Sequence, residues 1–291
     1  MSAKQKEVKL NILALNRRSK ALMCPFVTRD GYKFISSDAK SAEPTLILNY
    51  SEDPVLKAIL FDYTNRLPEW KDGLLMSDSL YVTTMSKTEL LRPVLKILPP
   101  SWYPLWVSDN EAAKAALGAT YRLAKIAVLA MLYGLSPNGL VRQFSENGVT
   151  LSLIEAERIH NSFWSSIPQV RELRDVLVKC FTAKFRKKVP FLTPFGFPAP
   201  SGKPKDAMNR VIQSSVSSFI RALWEHMFPN QIGAELVCVI HDEIIAEVPE
   251  DNIELYRVLL NDAVDIVNQK FELKYPMRLG FNIGNNLYEI H

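Results

Sequence analysis

The sequence predicts an α+β fold, a mainly antiparallel sheet with a block of helices inserted between its strands. Three observations carry this. Tyr32-Lys-Phe-Ile-Ser-Ser37 near the start has strand character and follows an Asp30-Gly31 turn. Leu236 to Ile240 and Ile244 to Val248 near the end are β-patterned runs flanking a short polar break, the pattern of a hairpin. The long patterns between them are helical.

The totals are compatible with that fold. A chain of 291 residues makes one large domain or two smaller ones. Apolar content of 47% and charged content of 23% are those of an ordinary soluble protein. A net charge of +4 permits an acidic partner without requiring one. Cys24, Cys180 and Cys238 are far apart, match no metal spacing and sit among apolar residues, which predicts reduced core thiols. No targeting signal and no apolar run long enough for a bilayer is read, so the expectation is a cytoplasmic protein without a membrane partner.

In order, residues 1 to 20 are basic, with Lys4, Lys6, Lys9, Arg17, Arg18 and Lys20. The first strand delivers Asp38. A helix follows from Ser41 to Tyr50, with Pro44 tolerated in its first turn. Residues 51 to 110 are expected to be irregular, with helical patches at 54–63 and 87–98, the second ended by Pro99-Pro100. Asn110 to Leu135 is the longest helical pattern, and Gly118 is placed to divide it. Ser152 with Glu155 forms a capping box that starts another helix. Helices are then read at 169–185 and 205–228, separated by a Pro-rich loop at 190–204. Phe185-Arg-Lys-Lys-Val189 is a basic patch beside an aromatic. After the hairpin, Asn252 to Phe271 is an amphipathic helix and Pro276 to Ile283 a last strand.

Three polar sets stand out on this frame. Asp38 and Glu43 follow the first strand. Arg122, Lys125 and Tyr133-Gly134 lie along one helix, with Lys125 and Tyr133 about 12 Å apart near one face. His241, Asp242 and Glu243 form the hairpin break, where buried carboxylates need a partner or a metal. An antiparallel sheet with these strands would bring Asp38 and Asp242 together across 204 positions (242 − 38). Singly, each residue has an ordinary reading: Lys125 a solvated helix lysine, Tyr133 a core residue, Glu43 a surface acid, and Asn209 with Gln213 a helix-surface pair.

Read together, these stretches resemble the three motifs of the family A DNA polymerases, the DNA polymerase I type. Asp38 and Glu43 match the first motif, Lys125 with Tyr133-Gly134 the second, and His241-Asp242-Glu243 the third. Asn209 and Gln213 match a helix between the second and third. Gly284, Asn286 and His291 match the ending. The resemblance runs from about Asn11 to His291. It implies a right-hand polymerase palm with an inserted helical fingers subdomain. Residues 1–30 would be a leading segment, 31–85 and 191–291 the two parts of the palm, and 86–190 the fingers.

The resemblance also implies roles. Asp38 and Asp242, with the carbonyl of Ala39, would hold two Mg²⁺ ions, Mn²⁺ being the alternative, which clamp the oxygens of a phosphoryl transfer. Lys125 would bind the triphosphate and act as general acid to pyrophosphate. Tyr133 would pack beside the templating pair, and Glu43 would reject a 2′-hydroxyl. Arg122 and Leu129 would complete the nucleotide site. His241 would touch the primer end, and Lys205, Asn209, Gln213 and Glu243 would contact DNA, the amides through minor-groove acceptors shared by all pairs. The partners would be primer-template DNA and dNTPs.

The departures bear on nucleotide handling. Tyr121 stands where the family has an Arg four residues before the lysine, and Arg122 is turned about 100° from that position. Leu129 replaces an aromatic, Ala39 and Ser41 replace Tyr and Gln, and Phe197-Pro198-Ala199 replaces a basic cluster. With Asp38 so near the start, the expectation is that thumb and exonuclease domains are absent from this chain: either a second protein chain supplies them, docked on Leu10, Ile12, Leu13, Leu15 and Leu22, or the chain is a minimal enzyme that dissociates after few additions. The alternatives are a non-catalytic DNA-binding subunit that kept the fold and a relative of the single-subunit RNA polymerases. A His-Asp phosphohydrolase is disfavoured by the small number of histidines.

Overall fold

The computed structural model describes residues 20–186, 191–199, 203–227 and 232–291. The leucines and isoleucine of the expected docking surface before residue 20, and the Lys187-Lys188 part of the basic patch, lie outside the described residues.

In chain order, α1 (Lys20–Met23) precedes β1 (Tyr32–Asp38) and α2 (Ala42–Ser51). α3 (Pro54–Lys57) continues into a π-helical turn at Ala58–Asp62. A hairpin, β2 (Glu69–Lys71) and β3 (Leu74–Met76), precedes α4 (Leu80–Met85), α5 (Arg92–Ile97) and α6 (Trp102–Ser108). Four longer helices follow: α7 (Asn110–Leu132), α8 (Pro137–Glu146), α9 (Leu153–Ser166) and α10 (Pro168–Arg186). β4 (Phe191–Leu192) and β5 (Pro198–Ala199) lead to α11 (Ala207–Met227). β6 (Glu235–Ile240), β7 (Glu243–Pro249), α12 (Ile253–Lys270) and β8 (Asn282–Gly284) complete the described chain.

Two compact units result. One holds residues up to Ala42 and from Val216 on; the other is Glu43–Ser215. The first is built on an antiparallel sheet of order β6-β7-β1-β8. β1 and β7 are its inner strands and are buried along most of their length, β7 through Ile244, Ile245, Ala246 and Val248 and β1 through Phe34, Ile35, Ser36 and Ser37. Phe34, Ile240 and Ile245 pack there with Met23, Leu287 and Ile290, so residues before β1 and after β8 close one core. α12 packs on β7.

The second unit is helical. In α7, Gly118 takes φ 60° and ψ −142°, so the helix breaks where the glycine stands. α7 is long and apolar enough to cross a membrane by length and composition, which corrects the reading that no such run exists. Its break and its buried face, from Ala113 through Leu132, are those of a core helix.

Other expectations need correcting. Residues 51–110 are not irregular: they hold the β2–β3 hairpin and α4 to α6. The 190–204 loop contains the β4–β5 pairing. The last strand is Asn282–Gly284 alone. The terminal hairpin is buried on β7 only, since β6 is an edge strand and mostly exposed. Cys180 is exposed on α10, so it is not a core thiol, and Cys24 and Cys238 are half-buried.

Candidate active site

In the sheet unit, β1 and β7 pair so that Asp38 lies opposite Glu243. The next step outward is a hydrogen bond of 3.0 Å from the Ala39 N–H to the Asp242 carbonyl. Asp38, Asp242 and Glu243 therefore meet at one end of the two inner strands. The Asp38 carbonyl accepts the Gly280 N–H at 2.6 Å, which ties the strand end down. Asp38 is exposed, Asp242 half-buried and Ala39 buried. The Ala39 carbonyl accepts the Ala42 N–H at 3.3 Å.

The three polar residues of the hairpin have different surroundings. His241 is exposed and takes φ 58°, a left-handed conformation uncommon for a residue with a side chain. Glu243 is buried. Its carboxylate accepts the Ser36 hydroxyl at 2.6 Å, and His291 Nδ1 lies 3.4 Å from the same oxygen.

Cross-strand carboxylates such as Asp38 and Glu243 repel and destabilise a sheet unless neutralised. The hydrogen bonding of Glu243 is one answer here. The donors of Asp38 and Asp242 are hard oxygens, as Mg²⁺ or Mn²⁺ requires. No group of three or more acid, His or Cys side chains placed to hold a metal occurs among the described residues. A two-carboxylate edge fits Mg²⁺ all the same, because that ion is commonly held by one or two carboxylates plus substrate phosphates and water.

The helical unit carries the second set. Glu43, half-buried in α2, accepts hydrogen bonds from the Tyr133 hydroxyl and the Gln213 side-chain amide. That amide also lies 3.5 Å from the Tyr133 oxygen. Burial first, and the hydrogen bond to Glu43 second, push the Tyr133 hydroxyl well above the usual phenol value, so it remains a donor. Gly134, with φ 86°, follows α7; a Cβ there would lie 2.4 Å from the Lys205 carbonyl oxygen, so only glycine fits. Lys205 is itself exposed.

Lys125 and Arg122 are exposed on α7, and Leu129 is half-buried. Asn209 is half-buried on α11, one turn before Gln213. Tyr81 is the residue sequence reasoning missed. The Lys125 ammonium lies 5.7 Å from its ring centroid, within cation–π range, and the Tyr121 ring meets it edge-on at 6.0 Å. Burial foremost pushes the Tyr81 phenol up to about 12. Its apolar neighbours in sequence give no hint; the only signal is the Ser79 cap that starts α4, whose hydroxyl accepts the Val82 N–H.

The family model for DNA polymerase family A matches residues 117–289, more than half of the chain. DNA polymerase I of Geobacillus stearothermophilus is 25% identical over 180 residues, covering 58% of this chain and 20% of the relative. DNA polymerase I of Chloroflexus aurantiacus is 21% identical over 291 residues, covering 96% of this chain and 26% of the relative. The chain thus spans about a fifth to a quarter of the curated relatives it matches. Its fold is that of the POL domain of Pol1 from M. smegmatis, solved in complex with DNA primer-template and dNTP. The TM-score is 0.68 at 17% identity, covering 97% of this chain and 45% of that one.

Proposed function

Because the chain belongs to DNA polymerase family A, we propose that it carries out template-directed DNA synthesis, joining deoxynucleotides to a primer 3′ end. The observation that carries this reading is the pairing of β1 with β7, which sets the Asp38 and Asp242 positions side by side through the 3.0 Å Ala39–Asp242 hydrogen bond.

In this reading Asp38 and Asp242, with the Ala39 carbonyl, would hold two Mg²⁺ or Mn²⁺ ions. When bound, these ions neutralise charge on the attacking and leaving oxygens. The chain's own groups do the rest. Lys125, held near the Tyr81 ring, binds the triphosphate and gives a proton to pyrophosphate; Arg122 supports it. Glu43, fixed by Tyr133 and Gln213, presents its carboxylate and side-chain bulk to the sugar and selects against a 2′-hydroxyl. Tyr133 packs by the templating pair with Leu129. His241 meets the primer end, and Lys205 and Asn209 meet the duplex.

The relatives' grip on duplex DNA and their proofreading belong to the proposal only as functions of a partner: a second chain, or further length of this one, would carry a thumb or exonuclease. The second reading, a non-catalytic DNA-binding subunit, draws on Tyr121 standing where the family has an Arg. Primer extension with Mg²⁺ decides between them. Extension of an annealed primer by dNTPs, with ribonucleotides admitted only by Glu43→Ala, is the expected result. Binding of primer-template without extension under Mg²⁺ or Mn²⁺ would overturn it.

A further inference from the structure

We propose that the β2–β3 hairpin and the α5–α6 segment form a binding site for single-stranded nucleic acid. All of its residues precede residue 117, outside those the family model matches. The hairpin turns on Asp72-Gly73, both with positive φ, and is anchored by buried Leu74, Leu75 and Met76. That anchoring leaves Trp70 on the outer strand with 42% of its surface exposed. α6 is fixed by two buried indoles. Trp102 donates to the Ala113 carbonyl at 2.9 Å and Trp106 to the Asp78 carboxylate at 2.7 Å. Tyr103, next to Trp102, is turned about 100° around the helix and its hydroxyl accepts the Trp70 indole N–H at 3.3 Å.

These two rings line an open cleft of about 480 Å³. Arg92 and Lys96, one turn apart on α5 and both exposed, line the same cleft with Leu95 and Pro100. No carboxylate lines the cleft, and among the described residues neither cation has an ion-pair partner. Glu69, Trp70's neighbour, alternates to the opposite side of the strand and accepts the Tyr63 hydroxyl. Rings that can take a stacked base, beside unpaired cations that can take a phosphate, are the components of single-strand recognition. An acidic peptide would satisfy the cations and leave the rings unused. The site stands on these residues alone; that the strand is unpaired template rests on the polymerase reading.

The test is fluorescence anisotropy with a labelled oligothymidylate of about ten nucleotides, across a salt series and without nucleotide or extension. Its result is therefore separate from that of the polymerase assay. Trp70→Ala should weaken binding about tenfold, and Trp70→Phe should recover most of the loss. Arg92→Gln with Lys96→Gln should lower the slope of log K against log salt by about 1.4, two contacts at about 0.7 each for a single strand. Should Trp70→Ala lower the melting temperature, Trp70→Phe and the exposed glutamine pair decide the matter. Unchanged affinity in the tryptophan variants with an unchanged slope in the glutamine pair overturns the proposal. So does a polyglutamate peptide that displaces the oligonucleotide at equal charge.

Discussion

Two hairpins in this chain turn on two residues each, and they solve the same backbone problem in opposite ways. Between β2 and β3 the turn is Asp72-Gly73, with φ of 50° and 75°. Asp-Gly suits such a turn and the twist of the strands, because Gly has no Cβ to clash and the short polar side chain of Asp can hydrogen-bond locally in the left-handed region. Between β6 and β7 the turn is His241-Asp242, with the left-handed φ of 58° on His241. A residue with a side chain there costs on the order of 1 kcal/mol or more. The first turn is optimised for its backbone, the second for what its side chains present. The burial differs in the same sense: β2 is exposed throughout, whereas β7 is an inner strand against β1. His241 takes this conformation directly beside Asp242.

The largest effect should come from Asp242 in the second turn and from Asp38 beside it at the end of β1. Asp242→Asn or Asp38→Asn is expected to reduce primer extension by on the order of a thousandfold, with the melting temperature and primer-template affinity close to wild type. Near-normal extension by either variant would show that Asp38 and Asp242 are not the reactive pair. His241→Gly tests the strain directly. Extension should fall about tenfold through loss of a primer contact, while stability holds or rises by up to about 1 kcal/mol. A clear loss of stability in thermal unfolding would mean that His241 is not strained.

These two hairpins also mark what the sequence discloses. His241-Asp242-Glu243 was legible because chemistry restricts the residue types, and the β1–β7 pairing that unites Asp38 with Asp242 followed from alternating apolar runs. The β2–β3 hairpin was missed although Asp72-Gly73 is a strong turn signal. Its strands are only three residues each, too short for a period to show. The link of Lys125 to Tyr81 was invisible for a different reason. It joins α7 to α4 across 44 positions (125 − 81), and no local pattern encodes a ring under an ammonium. The burial of Glu243 depends likewise on Ser36 and His291, distant in sequence.

The relaxed hairpin should respond differently to insult. Gly73→Ala places a Cβ at φ 75° in ordinary contact with Lys87 Cε at 3.9 Å, so the cost is conformational, about 1 kcal/mol. Oligothymidylate binding should weaken a few-fold as Trp70 loses its fixed position, with no change in the extension rate at saturating primer-template. If extension falls as steeply as in His241→Gly, the two hairpins are not functionally distinct and the contrast between them fails.

The smallest effect is expected at Glu243, and it separates a side chain that touches DNA from one that supports the turn. Sequence resemblance places Glu243 among the DNA contacts, yet it is buried and its carboxylate is engaged by Ser36 at 2.6 Å and flanked by His291 at 3.4 Å. A group enclosed in this way acts by fixing the start of β7, and with it the neighbouring Asp242. Glu243→Gln keeps the shape and one acceptor oxygen for Ser36, so extension should fall only about two- to threefold, the loss of a fraction of one hydrogen bond. It also relieves the repulsion with Asp38 across the strand pair, which offsets part of the lost bonding, so the melting temperature should move little. Primer-template affinity measured across a salt series is the deciding observation. Because the substitution removes a buried charge rather than one facing phosphate, the slope of log K against log salt should stay at its wild-type value. A changed slope would place the Glu243 carboxylate against the DNA and transfer the supporting role to Ser36 and His291 alone.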